Sequence, residues 1–185
     1  MSREGARTRS LLIVMAGLPG TGKTAVATAL GKAIGATVLN KDMIRQSLFP
    51  PGEIDYSRSQ DDLCFQVLFL LAEYSLARKP GHPVIIDGRT FSRADQVKQI
   101  SSWAATLKMK PIFIECRCDD AVARERLDHD QRTGAHPAAN RSFGLYQELK
   151  AAAEPIEPEH LVIDTGRESL EQSVAACLAY LNAVR

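Results

Sequence analysis

The sequence predicts an α/β domain, a parallel sheet flanked by helices, and three observations carry that expectation. The apolar run Leu11-Leu12-Ile13-Val14-Met15-Ala16 reads as a strand. It runs directly into Gly17-Leu18-Pro19-Gly20-Thr21-Gly22-Lys23-Thr24, and a helix-forming stretch, Ala25 to Leu30, leads out. Beyond this unit, strand and helix signals alternate along the chain instead of clustering, the pattern of parallel strands joined by crossover helices. With 185 residues, the chain fits one domain with a sizeable core.

Each element has its own local reason. Residues 1–10 carry Arg3, Arg7 and Arg9 and read as a loose tail, so the domain is expected over residues 11–185. A second strand fits Ala36–Asn40, and a helix starts near Asp42 and is ended by Pro50-Pro51-Gly52. A long helix fits Asp61 to Arg78, where Leu63, Val67, Leu70, Leu71 and Tyr74 recur at helical spacing, and Lys79-Pro80-Gly81 stops it. Val84-Ile85-Ile86-Asp87 is a short apolar strand ending on a carboxylate. Arg93–Leu107 is amphipathic, with Val97, Ile100 and Trp103 on one side. Pro111–Ile114 makes a fourth strand, Ala121–His129 a helix, Leu161–Asp164 a fifth strand and Leu170–Val184 a closing helix. Between two helices, Arg132–Arg141 is polar and contains Gly134 and Pro137, which suits either a surface connection or a mobile lid over a bound ligand.

Composition narrows the classes. Hydrophobic residues make up 45% and charged residues 24%, ordinary for a globular protein, and no apolar run approaches a membrane span. A formal net charge of +1 and the lack of an aromatic-plus-basic stretch count against a nucleic-acid partner. Four cysteines, Cys64, Cys116, Cys118 and Cys177, form no C-x-x-C pair and suit reduced thiols in a cytoplasmic protein.

The chemistry starts at residues 17–24, a full match to the phosphate-binding pattern G-x-x-x-x-G-K-[ST]. Its glycines let backbone N–H groups turn inward around phosphate oxygens, with the positive end of the following helix behind them. Gly17, Leu18, Pro19, Gly20, Thr21, Gly22, Lys23 and Thr24 therefore form the expected binding loop for a nucleoside triphosphate, ATP being the expected cofactor. Lys23 supplies a point charge on the β- and γ-phosphates, and the Thr24 hydroxyl can ligate Mg²⁺. Asp87, ending an apolar strand, is the second expected metal-site residue, or else caps a turn before Gly88. Asp42 is either a helix cap or a general base for an attacking hydroxyl, since ligands in open α/β sheets sit off the carboxyl ends of the strands. Arg45, one turn further on, could orient Asp42, grip an anionic group on the acceptor, or be an ordinary solvated surface arginine, and Arg93 is a second expected acceptor contact. Among the arginines bracketing the lid, Arg126 and Arg132 are the expected nucleotide and catalytic contacts, with Arg124 and Arg141 left as surface residues.

Taken together, these residues resemble the P-loop kinases that include the kinase domain of phage polynucleotide kinase, zeta toxins, gluconate kinases and chloramphenicol phosphotransferase. The resemblance runs from about Leu11 to Ala153 and is sharpest over Asn40-Lys41-Asp42-Met43-Ile44-Arg45-Gln46-Ser47. It implies that Asp42 is the general base, that Arg45 contacts the acceptor, and that Asp87 belongs to the metal site. It further implies that Arg126 and Arg132 are the paired lid arginines, that Thr165 and Gly166 pass the adenine, and that the strand order is 2-3-1-4-5. The implied activity is transfer of the γ-phosphate of ATP, with Mg²⁺, to a hydroxyl of a small molecule by a monomer or homodimer. A polynucleotide 5′-hydroxyl kinase, a zeta-like nucleotide-sugar kinase and an ATP-dependent switch are the competing readings. The family's lid arginines are usually about four apart, whereas Arg126 and Arg132 are six apart; the family's variable substrate segment falls on Pro50–Asp62, with Tyr56, Arg58 and Asp61, and matches no substrate class.

Overall fold

Five short apolar segments pair side by side in the same direction in the computed structural model, which describes residues 10–134, 138 and 140–184. They are β1 (Leu12–Ala16), β2 (Thr37–Asn40), β3 (Val84–Asp87), β4 (Ile112–Arg117) and β5 (Leu161–Asp164). Their order across the sheet is β2-β3-β1-β4-β5, every neighbour parallel, the order that the family resemblance implies. β1 lies at the centre and is buried over its whole length, which explains why it is an unbroken apolar run and not an alternating one.

Helices cover both faces. Leu12, Val14 and Ala16 point to one face, where they meet Phe65, Leu68 and Ala72 of α3 (Arg58–Arg78) and Val97, Ile100 and Ala104 of α4 (Ala94–Thr106). Ile13 and Met15 point to the other face. There they pack with Val26, Ala27 and Leu30 of α1 (Lys23–Ile34) and Cys177 and Leu181 of α7 (Leu170–Ala183). Three further helices lie at the carboxyl edge: α2 (Lys41–Leu48), α5 (Asp120–Thr133) and α6 (Phe143–Ala151).

The stripe that marks α3 in the sequence is not its buried face. Cys64, Phe65, Leu68 and Ala72 are buried, while Leu63, Leu70, Leu71 and Tyr74 are exposed. Over Leu63–Tyr74 α3 carries apolar residues on more than one side, so helical spacing alone selects no face. Trp103 does pack inward, stacked on Phe69 with ring centroids 4.3 Å apart, and its indole N–H donates to Glu73 at 2.8 Å. α5 also runs further than the sequence suggests, through Arg132 to Thr133, and ends on Gly134 in the left-handed conformation, φ 63°. The expected lid is thus partly helix. Residues 135–137 and 139 of that lid, and residues 1–9 of the expected tail, lie outside the described residues.

Among the described helices, none is long and apolar enough to cross a membrane. All four cysteines are free, and burial pushes the thiols of Cys116 and Cys177 up to about 12, leaving them unreactive packing groups.

Candidate active site

The carboxyl ends of all five strands meet at one edge, where a cavity of about 660 Å³ opens between the loop after β1, α2, the turn after β3 and the α5–α6 connection. The loop after β1 passes so close over β4 that a side chain cannot be fitted. A Cβ on Gly17, whose φ is 130°, would sit 2.2 Å from the Cys116 carbonyl oxygen. At the other end Gly22, in the left-handed region with φ 78°, starts α1 without a side-chain cap, and no acidic residue follows in the first turn. The positive end of α1 is therefore uncompensated by the protein's own groups and is presented to an anion. Within the loop, Thr21 Oγ1 and Lys23 Nζ both donate to the Leu18 carbonyl, at 2.7 and 2.8 Å. Burial pulls the Lys23 ammonium down to about 8, only partly opposed by Asp87. Pro19, Gly20, Gly22, Lys23 and Thr24 line the cavity, whereas the Leu18 side chain turns away to pack with Ala123 and Leu127 of α5.

Asp87 is fully buried at the end of β3. One carboxylate oxygen accepts from Asn40 Nδ2 at 2.6 Å, and the other, Oδ1, has no partner among the described residues. An unpaired buried carboxylate oxygen beside a phosphate loop suits Mg²⁺ or one of its waters. Among the described residues no cluster of three or more His, Cys, Asp or Glu could hold a metal. The fit is thus the sparse kind that Mg²⁺ takes, with Thr24 and Asp87 as the residues available and phosphate and water completing the shell.

α2 carries the opposite wall. The cap of this helix is Asn40, whose side-chain oxygen accepts from the Asp42 and Met43 amides at 2.9 and 3.0 Å. Asp42 is therefore released from the capping role that the sequence left open. Its Oδ1 instead accepts from Arg45 Nη1 at 2.9 Å, and Arg45 is only 2% exposed. Arg45 also donates through Nη2 to Asp61 on α3 and lies 5.0 Å from the Tyr56 ring centre. Lys41 joins the same carboxylate, Nζ to Asp61 Oδ1 at 2.7 Å. Arg89, in the turn after β3, donates to Asp62 at 3.0 Å and to Gln99 at 2.8 Å, with its guanidinium over the Phe65 ring.

Not every residue singled out in the sequence reaches the cavity. Arg126 does, clamped between the Gly20 carbonyl and Thr165, whose backbone and hydroxyl oxygens it meets at 2.8 and 3.0 Å. The Thr165 hydroxyl in turn contacts the Thr21 carbonyl at 2.8 Å, tying the turn after β5 to the phosphate loop. Gly166 is exposed just beyond and does not line the cavity. Arg132 lies elsewhere, in a separate surface groove with Arg124 and Asp128. Arg126 and Arg132 sit six apart on one helix, which turns them about 120° away from each other. Arg141 occupies the cavity instead, held by Asp130 at 3.0 Å and close enough to Asp42, Asp87 and Lys23 to interact with their charges. Arg93 pairs with Asp95 at 2.8 Å and does not line the cavity, and Arg89, four residues earlier, does.

Sequence reasoning gave no site role to Asn40, Lys41 or Arg89, and placed Asp61 only within the variable substrate segment that the resemblance implies. The signal for Asn40 was present, since Asn two positions before Asp42 at a strand end is a preferred helix cap. Asp61 and Arg89 come together only through the packing of α3 on β3, which no local pattern encodes.

Several solved proteins share this fold. A candidate kinase from Chloroflexus aurantiacus J-10-fl superposes with a TM-score of 0.74 at 23% identity, over 92% of this chain and 97% of its own. A gluconokinase from Sinorhizobium meliloti 1021 gives 0.65 at 21% identity, over 97% and 95%. The APS kinase of Mycobacterium tuberculosis, solved with AMPPNP and APS, gives 0.70 at 17% identity, over 94% and 98%. No curated protein matches significantly. The family model described as an AAA domain matches residues 12–156, well over half the chain and the span that carries the phosphate loop, the α2 wall and Arg141, and the chain belongs to that family.

Proposed function

We propose that this chain is an ATP-dependent kinase that transfers the γ-phosphate to a hydroxyl group of a small molecule. The observation that carries the reading is Asp42. Asn40 takes over the helix cap, and Arg45 fixes the Asp42 carboxylate in the same cavity that the phosphate loop lines. A carboxylate so placed can accept the proton of an attacking hydroxyl and hold its oxygen in line with the γ-phosphorus. The cavity volume suits a small acceptor beside the nucleotide more than a polymer.

On this reading the loop amides and the α1 terminus bind the β-phosphate, and Lys23 swings from the Leu18 carbonyl to the β- and γ-oxygens. Thr24 and Asp87 would hold Mg²⁺, which when bound shares the negative charge of those oxygens. Arg126 and Thr165 wall the nucleotide side, and Arg141 neutralises charge on the transferring group. Similarity in fold to a gluconokinase and an APS kinase supports a hydroxyl acceptor, and the absence of a membrane-crossing helix among those described agrees with a cytoplasmic enzyme. Replacement Asp42→Asn keeps the shape and the Arg45 contact but removes the base. Transfer is expected to fall about 10²–10⁴-fold with nucleotide affinity unchanged, measured by product formation and by calorimetry. A near-wild-type rate in this variant would remove Asp42 as the base.

A further inference from the structure

Three cations are buried on the acceptor wall: Lys41 at 8%, Arg45 at 2% and Arg89 at 7% exposure. Buried cations need anionic partners, and among the described residues lining the cavity two carboxylates face these three, Asp42 and Asp61. Asp62 meets Arg89 from the outer side, where it is 41% exposed and shared with Arg58. Asp61 is stretched across all three cations. Oδ1 accepts from both Lys41 and Arg45, and Oδ2 lies 4.0 Å from Arg89 Nε. Even so, the Nε groups of Arg45 and Arg89 are buried without any acceptor. If Asp42 takes up the hydroxyl proton, as proposed above, the wall loses one of its two negative charges during the reaction.

We infer that the acceptor carries an anionic group, a carboxylate or a phosphate, and that Asp61 stands in for that group in the free protein. The inference rests on the kinase reading for the identity of the cavity but concerns which hydroxyl compounds enter it. At Asp61 one arm of the Arg45 guanidinium and the Lys41 ammonium meet on Oδ1, and the Nε edge of Arg89 faces Oδ2 from 4.0 Å, a cationic donor set suited to a carboxylate or a phosphate. Asp61 already shows the geometry of such a ligand, contributed by the protein's own α3. It lies at the end of Pro50–Asp62, the stretch on which the family resemblance puts the substrate segment. An incoming anion would compete with Asp61, so the segment both holds the site shut with a weak internal ligand and sets a charge requirement for the true one.

The test uses full-length protein saturated with Mg·AMPPNP, so that the phosphate loop is filled and cannot capture the probe. Panels of polyol carboxylates, polyol phosphates and uncharged polyols, matched carbon for carbon, are titrated by calorimetry and then assayed with ATP for ADP release. Members of an anionic panel are expected to bind and their uncharged counterparts to bind at least about tenfold more weakly. The Asp61→Asn variant should tighten anion binding about tenfold, a gain that a misfolded protein cannot produce, and Arg89→Gln should weaken it by a similar factor. Carboxylates and phosphates are separated by which panel responds. Equal binding of charged and uncharged polyols, no anion binding in wild type or Asp61→Asn, or weaker anion binding in Asp61→Asn would each overturn the inference. Phosphorylation of uncharged polyols as fast as of the acids would overturn it while leaving the kinase reading intact. Anion binding with the expected response to both variants, but no ADP release, would support it while removing the kinase reading.

Discussion

The two halves of the cavity are built by different means. The half proposed for the nucleotide is mainly backbone: eight consecutive residues whose glycines, close approach to Cys116 and uncapped α1 start suit an anion. The acceptor half is entirely side chain, assembled from α2, α3 and the turn after β3, with each charged group held by another. A backbone site recognises what every triphosphate shares, whereas a side-chain site can be rebuilt without disturbing the loop. On the proposed reading, that division would let one fold keep its phosphate donor and exchange its acceptor.

The contrast can be broken at its strongest point first. Lys23→Ala should lower transfer by about 10³-fold and weaken triphosphate binding, since no other ammonium lies in the loop. Unchanged binding by calorimetry would mean that the loop does not hold the triphosphate. Next, Arg141→Ala is expected to cost about 10²-fold in turnover, whereas Arg132→Ala should stay within about twofold, because Arg132 lies outside the cavity. The reverse ranking would restore Arg132 as the lid arginine.

Asn40 joins the halves, capping α2 with its oxygen and holding Asp87 with its nitrogen. Asn40→Ala should lose about 1 kcal/mol of stability in urea titration along with activity. Asn40→Asp should recover the cap but leave activity low by repelling Asp87. Equal activity in Asn40→Asp and wild type would confine Asn40 to the helix.

The smallest effect is a proton. Lys23 in the free protein titrates near 8, and bound phosphates favour its charged form and raise that value. Below about pH 8 the ammonium is already protonated, so nucleotide binding takes up no proton there. Above about pH 8, up to the bound value, binding should take up a proton, and affinity should fall as pH rises through that window. Calorimetry at pH 8.5 in buffers of different ionisation enthalpy measures this, and Lys23→Met should abolish it.

How far the molecule could be read in advance follows the same division. Eight contiguous residues specify the phosphate loop, and the apolar continuity of β1 marks it as a central strand. α3 defeats periodicity because Cys64-Phe65-Leu68-Ala72 and Leu63-Val67-Leu70-Leu71-Tyr74 are both apolar stripes, and only the sheet decides between them. Arg132 and Arg141 exchange places because α5 continues to Thr133, carrying Arg132 to its outer side, while the chain returns Arg141 to Asp130. Asp61 and Arg89 meet across long sequence separations, where local patterns carry no information.

One measurement tests the kinase most directly: ADP release from Mg·ATP with and without pooled hydroxyl acceptors, followed by mass analysis of the acceptor. Release that depends on one pool, with a product heavier by one phosphoryl group, is the result expected of a kinase built on Asp42 and the phosphate loop. Slow release that is the same with every pool, with no phosphorylated product, would contradict it and point to an ATP-driven switch.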